Sequence, residues 1–161
     1  MMQQVIRGDD KNMFESYDQD IGMLTNKINK KLLHYLNSRL VKFHLTTEQW
    51  AVLMKLSKKD KISQKQLAEI STKDQSTLTR IIDILERKNF IERHQSKEDR
   101  RSIVIHITDE GLSTCKKVIP FLEEIFNDIL KGISHEKLEI FNRVFLQINE
   151  NIDDLQEERK D

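Results

Sequence analysis

Three short hydroxyl side chains and a guanidinium, Ser76, Thr77, Thr79 and Arg80, fall within five consecutive positions. Their chemistry is hydrogen bonding: hydroxyls bond bases and phosphates alike, and arginine takes the two acceptors on a guanine edge in a bidentate grip. Further on, Asp99 and Arg101 stand two apart in a charged run. On an extended segment they project from one side, so the carboxylate holds the guanidinium at a fixed angle. A pre-ordered arginine suits insertion into a minor groove, whose narrow A·T stretches concentrate negative potential. Blander roles fit the same residues, namely the solvated face of an amphipathic helix and an exposed ion pair worth about 0 to 1 kcal/mol. Spacing alone leaves both open.

The elements that must position these groups follow from periodicity and capping. From Phe14 through Tyr17, Ile21, Leu24, Ile28, Leu32, Leu36 and Leu40 to Phe43 the apolar positions step by three or four, which predicts one long amphipathic helix. At 1.5 Å per residue it would run for about 45 Å, so it needs more than its own chain to cover it. Thr46, Ser63, Thr108 and Ser134 each follow an apolar residue and precede another four positions on, the pattern of an N-cap with a hydrophobic staple; Gln49 and Gln66 complete capping boxes at the first two. Helices are expected over 47–57, 64–71, 74–88, 109–131 and 135–157, and strands over 90–95 and 102–107. Asn89, after the fourth helix, tolerates a left-handed backbone. The fold class is therefore mainly α, in the order α-α-α-α-β-β-α-α with room for a short extra strand before the third helix: a winged helix-turn-helix between long terminal helices. On the fourth helix Leu78, Ile81, Ile82 and Leu85 form the core stripe, which leaves Ser76, Arg80, Asp83 and Arg87 opposite it and Thr77 and Thr79 on its flanks.

The totals bound the function. With 161 residues, residues 1–12 are expected to form a flexible tail and 13–161 a single domain, of which 46–108 is the winged part. The N-terminus has no apolar signal core and the longest apolar run, WAVLM, is too short to span a bilayer, so the chain is expected in the cytoplasm. Cys115 is the one cysteine and is expected to serve packing. The histidines, at 34, 44, 94, 106 and 135, show no metal-ligand spacing, and no nucleophile with its base or phosphate loop stands out. Hence no enzyme, no metal and no cofactor is expected. Charge is zero overall but uneven: residues 47–108 carry 13 basic and 9 acidic side chains, and residues 109–161 carry 7 and 13. A basic middle suggests an anionic ligand.

The run STLTRIIDILERKNFIERHQSKEDRRSIVIHITDEG resembles the recognition helix and wing of the MarR family (multiple antibiotic resistance regulators), including its Asp-x-Arg wing element at Asp99 and Arg101. Ile107-Thr108 with Gly111 is similar to the family's Leu-Thr-x-x-Gly signature, and LTTEQWAVLMKLSKKDKISQKQLAEI resembles the two preceding helices, so the likeness runs from about residue 14 to the C-terminus. Asn89 stands where the family often has Gly, and Ile107 where it has Leu. The resemblance implies an obligate homodimer in which 13–45 and 109–161 are the dimerisation helices. The residues agree, since Phe126, Phe141, Phe145, Ile152 and Leu155 supply more apolar stripe than one small domain covers.

The expectation is a sequence-specific regulator of transcription, a repressor, that binds double-stranded DNA at a pseudo-palindromic operator. Ser76, Thr77, Thr79 and Arg80 would read the major groove, Arg101 the minor groove with Asp99 orienting it, and Lys65, Lys73 and Arg100 would meet phosphates. The resemblance also implies release by a small aromatic or anionic effector, with Tyr17, His34, Tyr35 and His44 as candidate lining. The alternative is a helical homodimer that uses the winged surface for a protein partner.

Overall fold

The computed structural model describes residues 18–96 and 102–159. Its elements are a π-helical turn Asp18–Met23, α1 (Leu24–Leu40), a 3-10 turn Val41–Phe43, α2 (Thr47–Lys58), β1 (Ile62–Ser63), α3 (Gln64–Ser71), α4 (Gln75–Arg87), β2 (Ile91–Gln95), β3 (Ile103–Ile107), α5 (Asp109–Ile129) and α6 (His135–Glu157). The extra strand before the third helix is β1. Where one long first helix was expected, regular α-helix begins at Leu24; the π-helical turn before it contains Gly22, the residue type least suited to a helix interior after proline. The expected end of α5 moves from 131 to Ile129, because Gly132 takes a left-handed backbone at φ 82°.

Local chemistry sets the starts. Thr46 and Ser63 each accept from the amide three residues on, and Gln49 and Gln66 reach back to the cap amides, so both capping boxes form. Asp74 caps α4 by accepting from the Thr77 amide at 2.8 Å. These bonds from Thr77 hold the Asp74 carboxyl below the usual carboxylate range. Asn89 has φ 59°, the left-handed turn expected of it between α4 and β2.

The chain divides into two compact units, Met1–Val118 and Ile119–Asp161, and the division falls next to Pro120 inside α5. In the first unit a three-stranded antiparallel sheet has the order β1-β3-β2, with Ile62 opposite Ile105 and Arg93 opposite Ile105 from the other side. Its core is closed: Leu40, Val52, Leu53, Leu56, Leu67, Leu78, Ile82, Leu85, Ile105 and Val118 are fully buried. Cys115 is buried too; burial pushes its thiol up, and a hydrogen bond with Ser57 acts in the opposite direction. Gly111 is required by a close approach, since a Cβ there would lie 2.2 Å from the Phe90 carbonyl oxygen. Thr108 seals the same corner. Its hydroxyl donates to the Asn89 carbonyl at 2.7 Å and accepts from the Gly111 amide at 3.0 Å.

In the second unit α6 begins at the Ser134 cap and has no buried residue. Phe141 and Phe145 stack on one face with ring centroids 4.5 Å apart, and Ile140, Phe141, Val144, Leu146, Ile152 and Leu155 are all exposed.

Candidate nucleic-acid interface

The α4 helix is set by its apolar stripe. Leu78, Ile82 and Leu85 have no accessible surface and Ile81 has 6%, so the opposite face is turned to solvent with little freedom to rotate. Ser76, Thr77 and Arg80 are exposed on that side, in the first turn and a half. Arg80 has no hydrogen-bond or ion-pair partner among the described residues, and with Thr77 it lines a groove of about 250 Å³ completed by Thr46, Glu48, Gln49, Ile81 and Ile84. An exposed, unpaired guanidinium on a rigid helix is a donor array waiting for acceptors.

Thr79 is placed differently from its neighbours. Its hydroxyl donates to the Gln75 carbonyl at 2.7 Å and accepts from Gln64 Nε2 at 2.8 Å. It therefore ties the start of α3 to α4. Lys65 is exposed in the first turn of α3, a helix with no acidic residue in that turn. Lys73, in the turn between α3 and α4, is engaged by the Glu48 carboxylate of α2.

The helix is also clamped to the wing strand, which sequence reasoning missed. Arg93 on β2 pairs through one guanidinium nitrogen with Asp83 and through the other with Glu86, both on α4, and its amide donates to Glu86 Oε1 at 3.3 Å. Asp83, read from the sequence as part of a solvated face, thus faces a strand. The nearest signal was the strand alternation that puts Arg93 on the same sheet face as buried Ile105. A second brace joins the base of β3 to the end of α2: the Ile107 amide donates to Asp60 Oδ1 at 2.8 Å. Asp99, Arg100 and Arg101 of the wing lie outside the described residues, as does Tyr17.

The effector candidates separate. His34 and Tyr35 are exposed on α1 and are not among the residues lining the crevice beside His44. His44, whose left-handed backbone ends the 3-10 turn, lines a crevice of about 510 Å³ with Lys42, Phe43, Lys88, Phe90, Glu110, Thr114 and Lys117. Lys88 donates to the His44 carbonyl at 2.5 Å and to Gln49 Oε1 at 2.9 Å, two neutral acceptors. Desolvation pulls its ammonium below the usual lysine range, and the Arg87 charge adds to this. Among the described residues no group of three or more His, Cys, Asp or Glu side chains could hold a metal ion, and no helix is long and apolar enough to cross a membrane.

The model of the MarR family matches residues 45–103, the stretch from the α2 cap to the start of β3. The chain is 29% identical over 130 residues to the HTH-type transcriptional regulator SarZ of Staphylococcus haemolyticus, covering 80% of this chain and 84% of that protein. Among solved structures it is similar to MepR of S. aureus in complex with DNA, with a TM-score of 0.76 at 21% identity over 81% of this chain and 97% of that one. It is also similar to a mutant MarR from E. coli complexed with operator DNA, with a TM-score of 0.75 at 21% identity over 82% and 96%. With two helices joined by a short turn and a hairpin packed on the second, residues 45–103 match the MarR family model, and the fold is that of a winged helix-turn-helix.

Proposed function

We propose that the protein is a sequence-specific, double-stranded DNA-binding regulator that acts as a homodimeric repressor in the cytoplasm. The observation that carries this is Arg80, exposed and without a partner among the described residues, beside Ser76 and Thr77 on a helix fixed by its core stripe and its Arg93 clamp. In this proposal Ser76, Thr77 and Arg80 read base edges in the major groove, while Thr79 holds α3 against α4. Lys65 meets a phosphate, and Arg101, oriented by Asp99, enters the minor groove next to Arg100. The DNA complexes of MepR and MarR support a duplex as partner.

The exposed apolar face of α6 supports pairing of two copies, because a monomer rarely leaves so many large apolar side chains in water along one helix. Two-fold pairing brings two reading helices to half-sites about one turn, roughly 34 Å, apart. The crevice with Lys42, His44, Lys88 and Lys117 is the proposed seat of a small aromatic or anionic effector, whose preference for one dimer spacing would shift DNA affinity.

Footprinting the purified protein on DNA flanking its own gene tests the function. Protection of a pseudo-palindrome is expected. Arg80→Ala should reduce discrimination for that site by about 1 to 3 kcal/mol; unchanged site preference would reassign the reading face.

A further inference from the structure

The start of the reading helix is more acidic than a polyanion-binding surface requires. Glu48 stands in the first turn of α2, where the Thr46 and Gln49 capping box fixes it, and its carboxylate takes Lys73. Asp74, the next residue along, caps α4. Both carboxylates sit at helix N-termini, whose dipoles favour negative charge, so the amide ends of α2 and α4 already have their anions. Glu48 is the more exposed partner of the pair, at 55% against 18% for Lys73, and it lines the same groove as Thr77 and Arg80. A phosphate approaching Arg80 therefore meets one spare negative charge from Asp74 and a lysine that is already neutralised. By contrast α3 carries Lys65 and no acid in its first turn.

We propose that Glu48 sets how tightly the surface holds any duplex: by occupying Lys73 beside the reading face, it keeps the backbone affinity low, so that retention on DNA depends on the base contacts of Arg80. This inference rests on the DNA-binding function proposed above. Backbone attraction is sequence-independent and supplies nearly all non-specific binding, so one phosphate contact fewer lowers the affinity for operator and bulk DNA by the same factor and leaves the ratio between them to the base contacts.

The test is Glu48→Gln in the full chain, a near-isosteric change at an exposed position that keeps a hydrogen-bond acceptor for Lys73. Binding is measured on a mixed-sequence 30-base-pair duplex across a salt series. The variant should bind this duplex about three- to tenfold tighter at low salt, and its plot of log affinity against log salt should steepen by about 0.9, one additional phosphate contact. The double variant Glu48→Gln with Lys73→Gln should return to the wild-type affinity and slope. Unchanged affinity or slope in Glu48→Gln would overturn the proposal. So would weaker binding, because a mere brace between α2 and the helix-turn-helix turn loses affinity when it is cut. A wild-type chain that ignores duplex at every salt concentration would instead sink the DNA-binding function itself.

Discussion

The winged unit and the C-terminal unit are built from similar amphipathic helices, yet they end in opposite states. Every helix from α2 to α4 buries its apolar stripe, with Leu53, Leu56, Leu67, Leu78 and Leu85 fully enclosed. The stripe of α6 stays in water, with Phe141 and Leu155 each 59% exposed. Hydrophobic burial scales with area removed from water, about 25 cal/mol per Å², so the first arrangement is complete in one chain and the second is not. The helices that would touch DNA support one another. The apolar stripe of α6 is left for a covering surface, which in the proposed function is a second copy of the chain.

The largest effect expected from this contrast is in the closed core. Leu78→Ala should destabilise the protein by about 2 to 5 kcal/mol in a guanidinium unfolding curve, since it empties a fully enclosed site under the reading face. A loss below about 1 kcal/mol would mean that the two units are less different than their burial indicates. Next, Phe141→Asp with Leu155→Asp should weaken self-association about 100-fold or more, equivalent to about 3 kcal/mol; light scattering that still returns twice the chain mass at micromolar concentration would break the comparison. Thr108→Ala should cost about 1 kcal/mol, because the hydroxyl both caps α5 and holds the Asn89 carbonyl, and the measurement is again the unfolding midpoint.

The smallest effect is a pH dependence that sharpens the picture of the reading helix. Asp74 titrates lower in the folded protein than in the unfolded chain, so its contribution is present above the ordinary carboxylate range and is lost as pH falls through the depressed value. Asp74→Asn, which keeps a good N-cap, should flatten this part of the stability decline below about pH 5 in a urea titration. An equal decline in both proteins would assign it to other carboxylates.

Most of the secondary structure was legible in the chain. The bounds of α3 and α6 match the expected spans residue for residue, those of α2, β2 and β3 differ by one position at one end, and α4 is one position shorter at each end. Capping boxes, strand alternation and a tolerant Asn89 are local signals, complete within a few residues, so spacing reports them directly. The π-helical turn before α1 was not legible, because the apolar period runs through it unbroken. The face of α4 carrying Ser76, Thr77 and Arg80 was legible from the core stripe, which leaves only one orientation. Which polar groups on that face are already occupied was not. Thr79, Asp83 and Lys73 looked as available as Arg80, yet Gln64, Arg93 and Glu48 take them.

By itself, then, the sequence determined the elements, their caps, the core stripe of α4 and the family likeness, since each depends on neighbours within a turn or two. Only the tertiary structure decided which charges and hydroxyls remain open. Glu48 meets Lys73, and Asp60 meets the Ile107 amide, across stretches of chain that no local period connects. Such pairs exist only once packed helices and strands bring their side chains within hydrogen-bond reach, and it is packing, not spacing, that fixes those distances.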